Sequence, residues 1–287
     1  MKYEINNEKA RITGFLSHHT VIEVPREIGG CEVTEIGDYA FSQQSAAEEI
    51  ILPDSVRKIG RYAFYNCRNL RRIQFYNTLR DIGAGAFTGC HSVREIEITF
   101  RGDEQSCLRE LLTELPEEQT LIYHSGNGEA RLVFPEFFEE AVENTPARIL
   151  ETHTHGSGMM YRNCFVQKKL QFHLYDERFE WAKGREFEDT LFRLVFNRLL
   201  YPYELKEKAE KKYRAFLKEH FEACAVWAAG NMLEREIHYL TEHCAENAEE
   251  LEILTAEAGK RGNAEMTGYL MDYKHRNYRS RKKTFEL

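Results

Sequence analysis

Apolar positions in the first part of the chain recur at a fixed spacing. The segments IGDYAF, IGRYAF and IGAGAF begin at Ile36, Ile59 and Ile82, so one motif returns every 23 residues without insertion. Phe41, Phe64 and Phe87 form a second column, and Ile50, Ile73 and Ile96 a third, followed two places on by Leu52, Phe75 and Ile98. Cys67 aligns with Cys90, and Leu70 with Val93. Columns of like residues at a constant period are what stacked coils require, because each side chain packs on its counterpart one coil away. The run Leu70-Arg-Arg-Ile73-Gln-Phe75 alternates apolar and polar, as a half-buried strand does. Stacking pairs these strands into a narrow parallel sheet, whose outward positions are Glu49, Ile51, Arg72, Gln74, Glu95 and Glu97. The aligned Gly37, Gly60 and Gly83 fit a bend with unusual backbone angles or close packing.

Ile50-Ile-Leu-Pro53, Val56-Arg-Lys-Ile59-Gly60 and Ala63-Phe64-Tyr-Asn-Cys67 follow one another within a single period. In this order the segments resemble the BspA-type branch of the bacterial leucine-rich repeat family, over about residues 10–100. Ile12-Thr-Gly14, Val24-Pro25 and Val33-Thr-Glu-Ile36-Gly37 resemble the opening coil of such arrays. Two positions depart from the family pattern: Gln44 stands where a cysteine is expected, and Thr99 replaces a proline. The resemblance implies a β-solenoid with an extended binding surface. Many members are surface proteins, whereas MKYEINNEKARITGF carries no apolar signal core, so a cytoplasmic location is the expectation here.

Beyond Phe100 the pattern changes twice. Helical apolar spacing over 108–115, then Thr120-Leu-Ile-Tyr-His, Ser-Gly-Asn-Gly128 and Ala130-Arg-Leu-Val-Phe134, predicts a helix and a hairpin that cap the array. After Pro135 amphipathic helical patterns take over. They predict helices over 135–142, from Thr145-Pro146 through Leu150, and over 159–181 with a bend near Tyr175-Asp176. Further helices follow over 187–200, 205–217, 221–229, 233–244, 248–260 and 264–274. Gly230-Asn231 and Gly262-Asn263 lie 32 residues apart, each between two candidate helices, and the second instance resembles part of an ankyrin repeat. The fold class is therefore α+β: a leucine-rich-repeat β-solenoid with its cap over 1–134, then an all-α domain of helical hairpins, ankyrin-like or α-solenoid, over 135–287.

Composition alters this picture little. Of 287 residues 42% are hydrophobic and 30% charged, as in ordinary folded domains, and the net charge of −8 argues against general nucleic-acid binding. Seven cysteines without a CxxC pair fit reduced structural thiols. No apolar run is long enough to cross a membrane. No phosphate loop, HExxH, dinucleotide fingerprint or EF-hand loop occurs. His153-Thr-His155-Gly-Ser-Gly158 offers two imidazoles for a divalent metal but no identifiable third ligand, and a helix broken at Gly156 accounts for the same residues. Lys274-His-Arg-Asn-Tyr-Arg-Ser-Arg-Lys-Lys283 reverses the sign of the chain locally, which suits a helix end, a soluble tail or an acidic partner. The expected function is a non-enzymatic protein–protein interaction or scaffold role, without cofactor or metal, contacting partners through Glu49, Ile51, Arg72, Gln74, Glu95 and Glu97. The alternatives are a metal site or enzyme around His153, His155, Tyr161 and Arg162, or an acidic or nucleic-acid contact through the basic tail.

Overall fold

The computed structural model describes residues 1–16, 18–126, 128–144 and 149–278. They fall into two compact units, one holding residues 1–190 and 201–204, the other residues 191–200 and the chain from 205 onward.

The first unit is built on two six-stranded sheets. Strands β1 (Lys2–Asn6), β2 (Lys9–Gly14), β3 (Val21–Glu23), β4 (Glu27–Ile28) and β5 (Cys31–Ile36) precede the regular coils, which carry β6 (Glu49–Ile51), β7 (Lys58–Ile59), β8 (Arg72–Tyr76), β9 (Asp81–Ile82) and β10 (Glu95–Phe100). Helix α1 (Leu108–Glu114) and the hairpin β11 (Gln119–Ser125) and β12 (Gly128–Phe134) follow. One sheet runs β1-β2-β5-β7-β9, with β4 beside β5; the other, the ladder, runs β3-β6-β8-β10-β11-β12. Its strands are parallel up to β11, and β12 returns antiparallel.

Between the sheets the expected columns are stacked. Phe15, Phe41, Phe64 and Phe87 place their ring centroids 5.2, 5.3 and 5.1 Å apart in succession. Full burial of one such ring stabilises the fold by about 1.5–3 kcal/mol. Three residues beyond each later ring, a side chain donates back to the preceding coil. Cys67 Sγ reaches the Phe41 carbonyl at 3.2 Å and Cys90 Sγ the Phe64 carbonyl at 3.1 Å. Gln44 Nε2 reaches the Phe15 carbonyl at 2.7 Å, so the glutamine fills the hydrogen-bonding role of the cysteine it replaces.

Of the two readings of the aligned glycines, close packing holds. A Cβ on Gly37 would lie 2.8 Å from the Ile12 carbonyl oxygen, one on Gly60 2.6 Å from the Asp38 nitrogen, and one on Gly83 2.5 Å from the Arg61 nitrogen. Left-handed backbone falls on two other columns, Tyr39, Tyr62 and Gly85, and Gln43, Asn66 and Gly89.

The carboxy-terminal end of the array is closed. The ladder's β12 edge is occupied by Tyr175, whose hydroxyl accepts the Val133 amide at 2.9 Å and donates to the Val133 carbonyl at 2.7 Å. A bridge from Pro202 to Ala130 occupies a second position on that strand.

Residues 138–155 differ from the expected helices. Strands β13 (Phe138–Asn144) and β14 (Ile149–His155) form an antiparallel hairpin. Cross-strand contacts hold its base: Phe138 stacks on His155 at 4.4 Å, and His155 Nε2 meets Glu140 Oε2 at 3.1 Å. The Thr145-Pro146 helix start lies outside the described residues, but Ile149 and Leu150 are strand. The single helix expected over 159–181 is also replaced. Helix α2 (Gly158–Arg162), strands β15 (Phe165–Val166) and β16 (Lys169–Leu170), and helices α3 (Phe172–Glu177) and α4 (Phe179–Ala182) occupy that stretch. Gln167 and Lys168, at φ 49° and 63°, make the two-residue reverse turn that interrupts it.

Arg162 ties this segment to the cap. Fully buried, its guanidinium donates to the carbonyls of Leu112 at 2.7 Å, Leu115 at 2.8 Å, Glu117 at 3.0 Å and Pro135 at 2.6 Å. Those include carbonyls that the end of α1 leaves unpaired. Burial pulls the Arg162 guanidinium down to about 10, against a small opposing pull from Glu117, so it is cationic at neutral pH. The first unit therefore continues to residue 190, past the boundary at 134 that the change of sequence pattern suggested.

The second unit is helical. It takes residues 191–200 of α5 (Glu188–Leu200), then α6 (Glu207–Glu219), α7 (Phe221–Gly230), α8 (Glu234–Tyr239) with a π turn at Leu240–Cys244, α9 (Ala248–Lys260) and α10 (Ala264–Asn277). The stripe Leu191, Leu194, Val195 and Leu199 is buried as its spacing requires. Trp227 packs on Phe192 at 5.6 Å and on Phe196 at 5.7 Å. Asn247 and Asn263 cap α9 and α10 by accepting the amides of Glu250 at 2.9 Å and Met266 at 3.0 Å. The Gly-Asn pairs are not structural equivalents. The left-handed residue ending α7 is Met232 and that ending α9 is Gly262, with Leu233 donating to Ala228 and Asn263 to Ala258 in matching turns. The turns thus match one residue beyond Asn231 and one before Asn263.

Candidate functional site

Strand register assembles the six residues singled out from the sequence. Glu49, Arg72 and Glu95 stand side by side, continued by Thr120; Ile51, Gln74 and Glu97 form the next row, continued by Ile122. Val21 and Glu23 begin the two rows on β3. The alternate positions Ile50, Ile73, Ile96 and Leu121 point inward and are buried, so the pleat separates core from face.

The face is cross-linked. Arg72 Nε lies 2.8 Å from Glu95 and 3.4 Å from Glu49, and its Nη2 donates to Glu97. Gln74 Nε2 donates to Glu49 at 2.5 Å. Burial alone would lower Arg72, but the bond to Glu97 and the charges of Glu95, Glu97 and Glu49 outweigh it, raising the guanidinium above its ordinary value.

The network also runs further than the sequence reading carried it. His124 Nε2 meets Glu97 at 3.0 Å, its Nδ1 lies 3.9 Å from Glu129, and Arg131 Nε meets Glu129 at 2.9 Å. The Arg131 guanidinium rests 4.2 Å above the Tyr201 ring. Alternation across Thr120, Ile122 and His124 was visible in the chain; reading β11 and β12 only as a cap hid their share of the face. The rows present Glu23, Glu49, Glu95, Glu97 and Glu129 against Arg72 and Arg131, a surplus of carboxylate. Such a surface can bind by charge and hydrogen bonding.

Residues 32–110 match a family of leucine-rich repeats. The match is to the family described as BspA type leucine rich repeat region, in 6 copies over those residues. No curated protein matches the chain. Similar solved structures include a leucine rich repeat protein of T. pallidum, at 30% identity over 37% of this chain and 53% of that one, with a TM-score of 0.32. A leucine rich cell surface protein of Faecalibacterium prausnitzii is 26% identical over 36% of this chain and 29% of its own, TM-score 0.31. A leucine-rich repeat protein from Bacteroides ovatus is 27% identical over 34% and 29%, TM-score 0.30. The chain thus spans about half of the first of these chains and less of the others.

The other sequence candidates lie outside the repeat region. Among the described residues no three His, Cys, Asp or Glu side chains are grouped to hold a metal ion. His155 is engaged by Glu140 and Phe138, while Tyr161 is buried against Tyr175 at 4.8 Å and Arg162 is held by carbonyls. Lys274, His275 and Arg276 form the last turn of α10, where cations complement the helix dipole. Residues 279–283 of the basic tail lie outside the described residues. Among the described residues no helix is long and apolar enough to cross a membrane.

Proposed function

We propose that the chain is a non-enzymatic binding scaffold whose ladder face holds a protein partner with a basic contact surface. Leucine-rich repeats are typically protein-interaction scaffolds, and a stacked array presents side chains in rows over a rigid support. The observation that carries the reading is Arg72 fixed among Glu49, Glu95 and Glu97 in the centre of a half-exposed, carboxylate-rich face. The partner meets side chains that are already ordered, which lowers the conformational entropy lost on binding.

The test is site-directed photo-crosslinking of the full chain in native lysate. A photoreactive residue at Gln74 captures a protein of defined mass, and one at Lys58, on the other sheet, does not. Glu95→Lys combined with Glu97→Lys, which reverses the sign of the face, abolishes capture. Capture unchanged by both substitutions overturns the assignment.

A further inference from the structure

We propose that β1 is a self-association edge, by which two copies of this chain pair antiparallel about a two-fold axis through Tyr3.

The two ends of the array are treated differently. The β12 edge of the ladder is plugged by Tyr175 and Pro202, and the first sheet ends at β9, only two residues long. At the opposite end β1 pairs with β2 alone among the described strands, and all five of its residues are exposed. An open edge of this length presents unpaired amides and carbonyls to any strand that matches it. The irregularity beside it does not blunt it. The register steps from Lys2↔Gly14 to Tyr3↔Ile12, which puts the extra residue, Thr13, on β2 and leaves β1 regular.

The residues of β1 select the occupant. Antiparallel pairing of two copies about Tyr3 sets Lys2 opposite Glu4 twice, Tyr3 opposite Tyr3, and Met1 opposite Ile5. Both ion pairs then lie on one face and the apolar pairs on the other. Centring on Glu4 instead opposes two like charges, and a shift by one residue sets apolar positions against charged ones. Lys2 and Glu4 make no ion pair among the described residues, so their charges are available for this pairing.

Apolar surface accompanies the edge. Met1 is 46% exposed, Tyr3 43% and Ile5 45%, on or beside β1 itself. Pairing covers these apolar side chains as well as the strand's free amides and carbonyls.

Sedimentation velocity of the full chain over a range of concentrations tests the pairing. The expected result is a reversible monomer–dimer equilibrium. Lys2→Glu and Glu4→Lys each weaken the dimer about tenfold, because each turns two attractive pairs into repulsive ones. The double exchange Lys2→Glu with Glu4→Lys restores it. Circular dichroism stays unchanged throughout, and so does the thermal midpoint at concentrations where every variant is monomeric, since these side chains are exposed. A chain that stays monomeric at all concentrations overturns the proposal, as does a double variant no better than the singles. Species larger than a dimer overturn it too, because a two-fold contact closes at two copies. Glu95→Lys combined with Glu97→Lys leaves the dimer intact, so this result is read separately from the ladder-face binding.

Discussion

The Glu114 carboxylate accepts the amide of Phe87 at 3.1 Å, where Phe41 and Phe64 donate to the carbonyls of Ala63 and Ala86 one coil on. Its other oxygen accepts the Gly85 amide at 2.8 Å. One side chain on α1 thus stands in for the missing next coil.

Replacing Glu114 tests that substitution of side chain for backbone. Glu114→Ala leaves two amides at the end of the array without partners and lowers stability by about 2–4 kcal/mol, read from urea unfolding. Glu114→Gln keeps one acceptor oxygen and falls between the two.

Gln44 makes a second test, because it sits in the cysteine column. Gln44→Leu leaves the Phe15 carbonyl unpaired in the core and costs about 1–3 kcal/mol. Gln44→Cys restores the donor used by Cys67 and Cys90 and costs less than about 1 kcal/mol.

The aligned glycines are intolerant for a steric reason. Gly60→Ala drives a methyl against the backbone of the neighbouring coil and costs about 1–3 kcal/mol or more. Gly184→Ala, where nothing lies within 4 Å of the new carbon, is the control and leaves the thermal midpoint unchanged or raised.

Buried thiols make the protein sensitive to alkali. Burial pushes Cys107 up to about 12 and Cys244 up to about 11 from an ordinary 9.0. The folded state thus favours the neutral thiol more than the unfolded state does. Their contribution is whole below the unfolded value and is lost as pH rises through the window between the unfolded and folded values. Within it each thiol costs about 1.4 kcal/mol per pH unit. Urea unfolding at about pH 8 and about pH 10 measures the loss, and Cys107→Ala shows a smaller drop.

The solenoid was legible because its information is redundant. Ile36, Ile59 and Ile82 repeat one local choice, and an error in any one column is corrected by the others. The hairpin over 138–155 offered no such redundancy. Glu139, Glu140, Ala141 and Glu143 are residues that favour helix, and only the pairing of Phe138 with His155 and of Glu140 with the same imidazole reveals strands. The break at Gln167-Lys168 was hidden for a related reason, since neither residue advertises a left-handed backbone. On the ladder face the six positions from Glu49 to Glu97 followed from period and pleat alone. Their continuation through His124 and Arg131 depended on β11 joining the same sheet, a long-range pairing outside the repeat.

The closure by Glu114 bears on how such a chain changes over generations. Each interior coil offers the same contour on both sides, so copying or losing one whole block of the period leaves every joint matched and both termini of the array as they were. Insertions of any other size would misalign the phenylalanine pile. Array length is then free to vary by integral steps, while the two rows of the ladder face lengthen or shorten with it.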